Sequence, residues 1–569
     1  MGSKEIKEKF LKFFEIRGHK IIPSSSLIPD DPSVLFTTAG MQQFKEYYTN
    51  QAAAKRDFNN LNIVTSQKCI RTGDIDEVGD ATHLTFFEML GNFSFGGYGK
   101  SEAIEYAYEF ITKEMNLEIS YVSVFKGSEN VPEDIEIEKI WQKLGIKKIK
   151  KEGADVFWGP TGDSGPCGPT TEIYCKNSTG EDVEIWNIVF NEYFCNGSRE
   201  ELDKAKARLE KLPILGIDTG MGLERLITVV NKKESFYDTD LFIPIIEKIN
   251  SFTNIKNEKA KRIIADHIRS AVFMITDKVL PANMERGYVL RRILRRAIRY
   301  CDILEMKEDF LRVLIDVICE KYGNIYPEIL HNKENIKIEI EKEEKKFRET
   351  LNKGMKEFEK GIDPFILFTT YGFPIELTLE LAKEKGIKIN IEDFKNKMKE
   401  HQSLSQTSSA GMFKGGLANH DEKTICLHTA HHLLLAGLQN IVNKDIKQRG
   451  SNINEERLRM DFLCDHKLTD EEKKKVEDWV NEKINLSLNV IRHEMPLIEA
   501  QKLGAEMEFG AKYPDIVSLY FIEDKDGNPI SKEFCGGPHI KNTSELGTFK
   551  IQKEEAVAAG IRRIKAVLV

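Results

Sequence analysis

Four residues in the C-terminal part of the chain have the types and spacing of metal ligands. His428 and His432, in LHTAHHLL, are four positions apart, which sets both imidazoles on one face of a helix. Farther on, EFCGGPHI supplies Cys535 and His539. One thiolate and three imidazoles make a full tetrahedral set for one Zn²⁺ ion. A lone HxxxH pair is more often incidental, but the two pairs together favour zinc over core histidines. His431 points about 100° away from His432 and is not counted as a ligand.

A second candidate for chemistry is GIDTGMGLERL, residues 216–226, where a glycine-rich turn leads into an apolar-periodic helix that carries Arg225. Glycine lets a backbone approach a ligand closely, and a guanidinium can bind a phosphate through two hydrogen bonds. Taken alone, the segment is better interpreted as a helix cap followed by an ordinary helix. Upstream, Arg71 ends one strand-like run, an acidic loop follows, and His83 to Phe87 opens another run. Two such strands with an arginine between them suit phosphate binding.

These segments, with HKIIPSSSLIPDDPSVLFTTAGMQQFK before them, resemble in their order the three signature motifs of the class II aminoacyl-tRNA synthetases. SSSLIP, LFTTAGMQQFK, FFEMLGNFSFG, GPCGP, EIWNIVF and DTGMGLERL narrow the resemblance to the alanyl-tRNA synthetase family, over residues 1 to about 395. The resemblance implies a ligase that uses ATP, with Mg²⁺, to activate L-alanine. It further implies transfer of the alanine to the 3′ end of tRNA(Ala).

The resemblance also assigns the ATP site. Joining a carboxylate to the α-phosphate builds negative charge on phosphorus, which a fixed cation stabilises. Arg71 takes that position in the family pattern. Arg225 would hold the γ-phosphate and cover the adenine, while Phe87 would stack on the other face of the base. His83 belongs to the same ATP-binding set.

The alanine site follows from the same resemblance. Asp218 would bind the substrate ammonium, Val189 and Trp158 would form the wall around the methyl group, and Gly220 would leave room for the ligand. Without the family context, Val189 and Trp158 are better interpreted as ordinary core residues. Arg71, Arg225 and Asp218 are therefore the expected catalytic residues.

The segment RGYVLRRILRRAIRY is rich in arginine and nearly free of acids. At 100° per residue it places four arginines on one stripe, at positions 292, 295, 296 and 299. A charge run is usually a solvated face, but the chain carries a net charge of −8, so a local basic stripe favours phosphate binding. The family resemblance implies that this helix binds the acceptor stem of tRNA, with Arg292, Arg295, Arg296 and Arg299 as the contacts.

A G·U pair in the acceptor stem is read in this family by an Asn just after that helix and an Asp before TYGFP. The matching positions here are Asp302 and Thr369, and neither fits the pattern. The way this chain reads the pair is therefore left open, whereas general acceptor-stem binding is expected.

The histidine and cysteine motifs recur in the family's proofreading domain. Rejecting glycine by one missing methyl is worth only about 1 to 3 kcal/mol. The resemblance therefore implies a second site that would hydrolyse seryl- or glycyl-tRNA(Ala). Gln448 matches a residue of that editing pocket, and His431 stands where the family usually has Thr. The sequence CGGPH replaces the usual CGGTH. These two departures from the family pattern, at His431 and in CGGPH, are expected to change the rate or the selectivity of editing.

The whole chain of 569 residues has 41% hydrophobic and 31% charged residues, which is the balance of a soluble protein without a membrane span. Nine scattered cysteines with no CxxC pair indicate a reducing cytoplasm. The expected fold is α+β and multidomain. Residues 1–240 would form an antiparallel-sheet catalytic domain, 241–395 a helical tRNA-recognition domain, 396–423 a linker, and 424–569 a zinc-containing α+β editing domain.

Three family segments are shortened or missing in this sequence: the β-rich opening of the editing domain, the module after AAGIRRIKAVLV and part of the loop after Arg71. A compact, monomeric form is therefore expected. Two alternatives stay open. One keeps activation but loses productive editing, and its third domain only binds RNA. The other is a catalytically silent RNA-binding or regulatory relative, against which the retained Arg71, Asp218 and Arg225 argue.

Overall fold

The chain folds into two compact units, Met1–Glu384 and Lys385–Val569. The computed structural model describes residues 1–204, 206–307, 310–399, 421–506, 516–558 and 560–569. The predicted linker, 396–423, lies mostly outside these residues, and the predicted boundary at residue 240 stays a prediction. Within the described part of the chain, no helix is both long enough and apolar enough to cross a membrane.

The first unit is built on a large, mainly antiparallel sheet. Its described strands are β1 (Lys20–Ile21), β2 (Asn62–Ile70), β3 (Phe86–Phe95), β4 (Ile119–Phe125), β5 (Ile149–Glu152), β6 (Phe157–Trp158), β7 (Gly165–Lys176), β8 (Asp182–Cys195) and β9 (Leu209–Gly222). They follow the order β1-β2-β3-β9-β8-β7-β4-β5, with β6 paired to β7. Only the edge pairs β1–β2 and β4–β5 are parallel among these strands. The predicted antiparallel α+β fold is confirmed.

Short helices cover this sheet. They are α1 (Ser3–Glu15), α2 (Gln51–Phe58), α3 (Lys100–Glu109), α4 (Ile135–Lys143), α5 (Arg199–Asp203), α6 (Leu223–Val230) and α7 (Ile243–Asn250). The apolar side of α1 is buried against aromatic rings. The ring of Phe10 packs edge-on against that of Phe110, with the ring centres 5.3 Å apart, and its centre lies 5.7 Å from that of Trp186. Such aromatic contacts fasten the N-terminal helix to the sheet.

The glycine-rich segment before Arg225 is a strand and not the predicted turn. Strand β9 runs to Gly222, and α6 begins at the next residue. The glycines serve close packing instead, since a Cβ on Gly216 would lie 2.2 Å from Tyr48 Cδ1 and one on Gly220 would lie 3.0 Å from Met89 Sδ. The expected helix after the glycines is confirmed.

The run SVLFTTAG, which has strand-like composition, lies in a loop followed by a 3-10 helix at Gly40–Tyr48. Isolated hydrogen bonds replace a strand ladder there. The Thr37 N–H donates to Leu27 O at 3.0 Å, and the Ile70 N–H donates to Thr37 O at 2.9 Å. Tertiary contacts therefore override local β-propensity in this run.

The remainder of the first unit is helical, as the periodicity predicts. Its helices are α8 (Glu258–Thr276), α9 (Glu285–Ile303), α10 (Phe310–Tyr322), α11 (Pro327–Glu359), α12 (Pro364–Tyr371) and α13 (Ile375–Glu384). Helix α8 is anchored by its buried Arg269, whose Nη2 donates to Phe86 O of β3 and whose Nη1 donates to Glu224 Oε1 of α6 at 3.1 Å. Helix α8 therefore contacts β3 and the helix that follows the glycine-rich strand.

The second unit contains α14 (391–399) and α15 (Glu422–Ile441) before its first strand. The later elements are β10 (Gln448–Ile453), β11 (Leu458–Leu463), α16 (Asp470–Asn485), β12 (Asn489–Pro496), α17 (Leu497–Lys502), β13 (Ile516–Glu523), β14 (Pro529–Phe534), β15 (Phe549–Ala558) and β16 (Ile561–Leu568). The strands pair as β10-β11-β16-β15 and as β12-β13-β14. Helices α15 and α16 share one apolar core with the four-stranded sheet, including Leu434, Met460, Val480 and Ile564.

Candidate active site and metal centre

A cleft lies over the middle of the large sheet, where β3, β9 and β8 are neighbours. It brings together seven of the residues singled out from the sequence: Arg71, Phe87, Trp158, Val189, Asp218, Gly220 and Arg225. They come from segments spread over more than 150 positions. Their convergence is a property of the strand order, which the motifs alone do not show.

Arg71 stands at the end of β2, opposite the start of β3. The backbone N–H of Arg71 donates to Thr85 O at 3.0 Å, and Cys69 pairs in register with Phe87. The guanidinium carbon lies 4.9 Å from the centre of the Phe87 ring. A cation and a planar aromatic side by side form a surface suited to a phosphate and a nucleobase.

Arg225 lies in the first turn of α6, at the rim of the same cleft. Its Nη1 donates to the backbone O of Glu184 at 2.9 Å and to Glu184 Oε2 at 3.1 Å. The Arg225 side chain is 37% exposed, so this ion pair is solvent-screened and readily exchanged for a ligand phosphate. Glu184 therefore holds the guanidinium in place for an anionic ligand.

Asp218 lies on β9 directly opposite Val189 of β8. It is only 5% exposed, and burial raises the pKa of its carboxyl to about 8. A buried carboxyl of this kind is costly to ionise unless a cation joins it. The pocket therefore favours a small ligand that carries an ammonium group.

His83 does not join the other predicted ATP-binding residues. Its neighbours Thr82 and Leu84 line the cleft, whereas His83 Nδ1 lies 2.6 Å from Asp80 Oδ2. Residue 83 thus belongs to the loop between β2 and β3 and not to the cleft lining. Its assignment to ATP binding remains a prediction without support from this geometry.

Sequence reasoning missed several polar residues of the cleft, namely Asp74, Glu184, Asn187 and Glu224. Asn187 could have been predicted from the sequence, because it lies two positions before Val189 on a strand and therefore faces the same side of the sheet. Its Nδ2 donates to Glu172 Oε1 at 3.3 Å, and its Oδ1 is buried without a partner among the described residues. That oxygen and the Glu184 carboxylate are suitable for a hard cation such as Mg²⁺.

The predicted metal ligands of the second unit converge as expected from their motifs. One ligand atom from each of His428, His432, Cys535 and His539 lies within 4.8 Å of the others. Cys535 Sγ is 3.3 Å from His428 Nε2 and 3.4 Å from His539 Nε2. The histidine pair comes from α15, and the other two residues follow β14, where Cys535 lies 107 positions after His428.

The surroundings of the cluster orient its imidazoles for a metal. His428 Nδ1 lies 3.1 Å from Pro538 O, and His539 Nδ1 lies 3.0 Å from Thr429 Oγ1, which leaves both Nε2 atoms towards Cys535. Burial lowers the pKa of His428 to about 4 and keeps its ring neutral, the form that binds metals. A three-imidazole, one-thiolate donor set fits Zn²⁺.

The two predicted editing residues differ in their surroundings. His431 is 2% exposed, and its Nε2 is buried without a hydrogen-bond partner among the described residues. Burial lowers the pKa of His431 to about 3. Gln448 begins β10, pairs in register with Phe462 and is half-buried.

The later members of the predicted phosphate-binding stripe on α9 are buried. Arg296 and Arg299 are only 5% and 4% exposed. Glu380 of α13 lies 3.0 Å from Arg296 and 3.1 Å from Arg299, and Arg295 Nε donates to Glu343 of α11 at 2.8 Å. Few acids are interspersed within α9 itself, but acids from helices distant in sequence neutralise the stripe.

The outer members of the predicted tRNA set are more accessible. Arg292 pairs with the exposed Asp76 at 2.6 Å. Asp302 accepts a hydrogen bond from Arg348, and Thr369 is an exposed residue of α12 whose hydroxyl donates to Phe365 O at 2.7 Å. These positions, in contrast to Arg296 and Arg299, remain reachable for a ligand.

Comparisons with known proteins decide the family. Residues 5–433 match the family described as tRNA synthetases class II (A), and residues 517–565 match the threonyl and alanyl tRNA synthetase second additional domain. The chain is 46% identical over 609 aligned residues to a Borrelia hermsii protein named alanine--tRNA ligase, covering 99% of each chain. The chain belongs to the alanyl-tRNA synthetase family.

Other relatives bearing the same name extend over similar lengths. The Borreliella burgdorferi protein is 44% identical, with 100% of each chain covered. The Thermotoga maritima protein is 37% identical, with 100% of this chain and 80% of that protein covered. The resemblance drawn from the motifs is thereby confirmed. The first family match includes the cleft residues with His428 and His432, and the second includes Cys535 and His539.

Proposed function

We propose that this protein is an ATP-dependent ligase that charges tRNA(Ala) with L-alanine. The observation that carries the proposal is the convergence of Arg71, Arg225 and Asp218 on one cleft. Two guanidinium groups suit the phosphates of ATP, and a buried carboxyl suits the ammonium of a small amino acid. The ATP and amino-acid requirements of the family agree with this donor set.

In the first step, the alanine carboxylate attacks the α-phosphorus of ATP, and pyrophosphate leaves. Arg71 stabilises the charge that develops on the α-phosphate, and Arg225 exchanges its contact with Glu184 for the γ-phosphate. Phe87 stacks on the adenine. In the second step, a hydroxyl of the 3′-terminal ribose of tRNA attacks the activated carbonyl, and AMP leaves.

Alanine selection rests on the inner end of the cleft. Asp218 binds the ammonium, while Val189 and Trp158 enclose the methyl group, and Gly220 keeps the floor open. Mg²⁺ bound with ATP would supply neutralising charge to the leaving pyrophosphate, with Glu184 and Asn187 Oδ1 as its available oxygen ligands. Both residues lie on β8, Glu184 five positions and Asn187 two positions before Val189.

Alanine-dependent exchange of labelled pyrophosphate into ATP tests activation directly. The wild-type protein should catalyse exchange with alanine, and Arg71→Ala should reduce kcat by at least about 100-fold. Charging of tRNA(Ala) should follow in the same preparation. Absence of exchange in a folded, ATP-binding protein would favour the silent RNA-binding alternative.

For the second unit, we propose a zinc-dependent editing site that hydrolyses seryl- or glycyl-tRNA(Ala). The four-ligand cluster and the family match over residues 517–565 support it. Zinc bound there would polarise and orient the ester end of the tRNA. His431 of α15 and Gln448 of β10 are the proposed residues of the editing pocket.

Hydrolysis of seryl-tRNA(Ala) by the wild type and by Cys535→Ala separates this proposal from its alternative. A rate lost in the variant supports editing. Equal, negligible rates in both proteins would favour a second unit that only binds RNA.

We further propose that residues 1–240 perform activation, 241–395 bind the acceptor stem and 424–569 perform editing. The half-buried Arg292 and Arg295, with Asp302 and Thr369, remain the proposed tRNA contacts. A filter-binding series with tRNA(Ala) at increasing salt tests them, since loss of one phosphate contact should lower the salt slope by about 1. A comparison of the G·U pair with G·C tests how the pair is read.

A further inference from the structure

The loop between β2 and β3 supplies one wall of the cleft. Asp74, Thr82 and Leu84 of this loop line the cleft together with Arg71, and the Arg71 N–H closes the base of the loop on Thr85 O at 3.0 Å. A loop of this length needs contacts on its far side to hold these residues in one geometry.

Arg296 of α9 provides those contacts. Its Nη1 donates to Ile75 O at 2.7 Å, and its Nη2 donates to Val78 O at 3.2 Å. Ile75 and Val78 are both fully buried, so their carbonyls need partners from the protein. One planar guanidinium therefore fixes two successive turns of the loop backbone.

Three further residues fix Arg296. Glu380 Oε1 lies 3.0 Å from its Nη2, and His267 Nε2 lies 3.1 Å from its Nη1. Because a guanidinium only donates, His267 Nε2 must accept, which puts the ring proton on Nδ1, 2.9 Å from Asp266 Oδ2. Burial lowers the pKa of His267, in agreement with a neutral ring. Asp266 Oδ1 then accepts the Thr85 N–H at 3.0 Å.

We propose that Arg296 is a positioning residue for ATP: it holds the loop wall of the cleft and ties that wall to helix α13 through Glu380. This inference rests on the proposed function and replaces a phosphate-binding role of Arg296 by one inside the protein. The loop presents Asp74, Thr82 and Leu84 to the ATP side of the cleft, whereas Asp218 and Val189 lie on the strands. Loosening the loop should therefore affect ATP and spare alanine.

Arg296→Lys is the decisive variant, because lysine keeps a positive charge beside Glu380 but lacks the fork that reaches both carbonyls. The dissociation constant of ATP measured by calorimetry and the KM for ATP in pyrophosphate exchange should both rise about tenfold. The KM for alanine should stay within about twofold. Glu380→Gln, which weakens the support of Arg296 without adding volume, should raise the KM for ATP in the same direction by less.

Tyr300→Phe is the matched control. Tyr300 OH donates to Glu380 Oε1 at 2.7 Å, and the residue is as buried as Arg296, but among the described residues it has no hydrogen bond to the loop. It should leave the KM for ATP unchanged. The inference would be overturned by an unchanged KM for ATP in Arg296→Lys or by an equal rise of the KM values for ATP and alanine in that variant. It would also be overturned by the same rise of the KM for ATP in Tyr300→Phe.

A failure of the proposed ligase function can be distinguished from a failure of the positioning role of Arg296. If the wild type binds ATP in the calorimeter but shows no alanine-dependent exchange, the proposed function fails, and the ATP affinities of the variants still decide the positioning role. If Arg296→Lys does not fold, Glu380→Gln decides it, and an unchanged ATP affinity in that folded variant overturns the inference.

Discussion

A single buried carboxyl, that of Asp218, couples substrate binding to stability. Burial raises its pKa from 3.8 to about 8, so between these values the folded chain holds a proton that the unfolded chain has released. The folded state therefore loses stability as pH rises from about 4 to about 8. An ammonium ligand removes this penalty because it stabilises the ionised form. The pocket thus gains selectivity at a cost in stability.

Asp218→Asn should abolish alanine-dependent exchange while making the ligand-free protein more stable. Asparagine has no charge to desolvate, so we expect a gain of about 1 kcal/mol or more at pH 8 and little change at pH 4. Urea unfolding at both pH values measures it. An equal loss of stability at both values would contradict the burial argument.

The cysteine of the cluster gives a second prediction at this scale. Removing one of four ligands weakens a tetrahedral site severely, so Cys535→Ala should bind well under one zinc per chain where the wild type binds one. Elemental analysis of dialysed protein measures this. Cys426→Ala is the control, since Cys426 precedes His428 by two positions and lies outside the cluster. Full zinc occupancy in Cys535→Ala would exclude this donor set.

Among the elements, helix α9 shows how tertiary partners change the meaning of a charge pattern. Its inward arginines neutralise acids of α11 and α13, so the helix joins the helical layer to the loop of the cleft. Breaking a buried ion pair leaves an uncompensated charge and is far more costly than breaking an exposed one. Position along α9 should therefore decide between a stability defect and a surface effect.

Arg299→Ala should destabilise the protein by about 3 kcal/mol, because it removes one of the two arginines that neutralise the largely buried Glu380. Arg292→Ala removes a pair with an exposed Asp76 and should cost about 1 kcal/mol or less. Urea unfolding of both variants measures the difference. A stable Arg299→Ala protein with a reduced salt slope of tRNA binding would restore the stripe as an RNA-binding face.

At the scale of the molecule, activation and editing are assigned to separate compact units. All cleft residues lie within Met1–Glu384, and all four proposed zinc ligands lie within Lys385–Val569. Each unit also has its own hydrophobic core.

Removal of zinc with a chelator should therefore stop hydrolysis of seryl-tRNA(Ala) and leave alanine-dependent pyrophosphate exchange within about twofold of its starting rate. Both assays on one chelated preparation, and again after zinc is restored, measure this. A parallel loss of exchange would show that the two units depend on one metal.

The sequence by itself determined the features that local pattern and motif chemistry fix. Helical periodicity placed His428 and His432 on one face, and the long motifs identified the family and seven of the residues that line the cleft. These signals are local, because side-chain spacing along a helix or strand depends only on the backbone period.

Only the tertiary structure decided what each charge faces. The sequence of α9 could not show that Glu380 would neutralise Arg296 and Arg299, because the partner lies more than 80 positions away. It could not show that His83 would turn towards Asp80. Ion pairing and burial depend on which distant elements pack together, and that information lies in the fold and not in the spacing of residues.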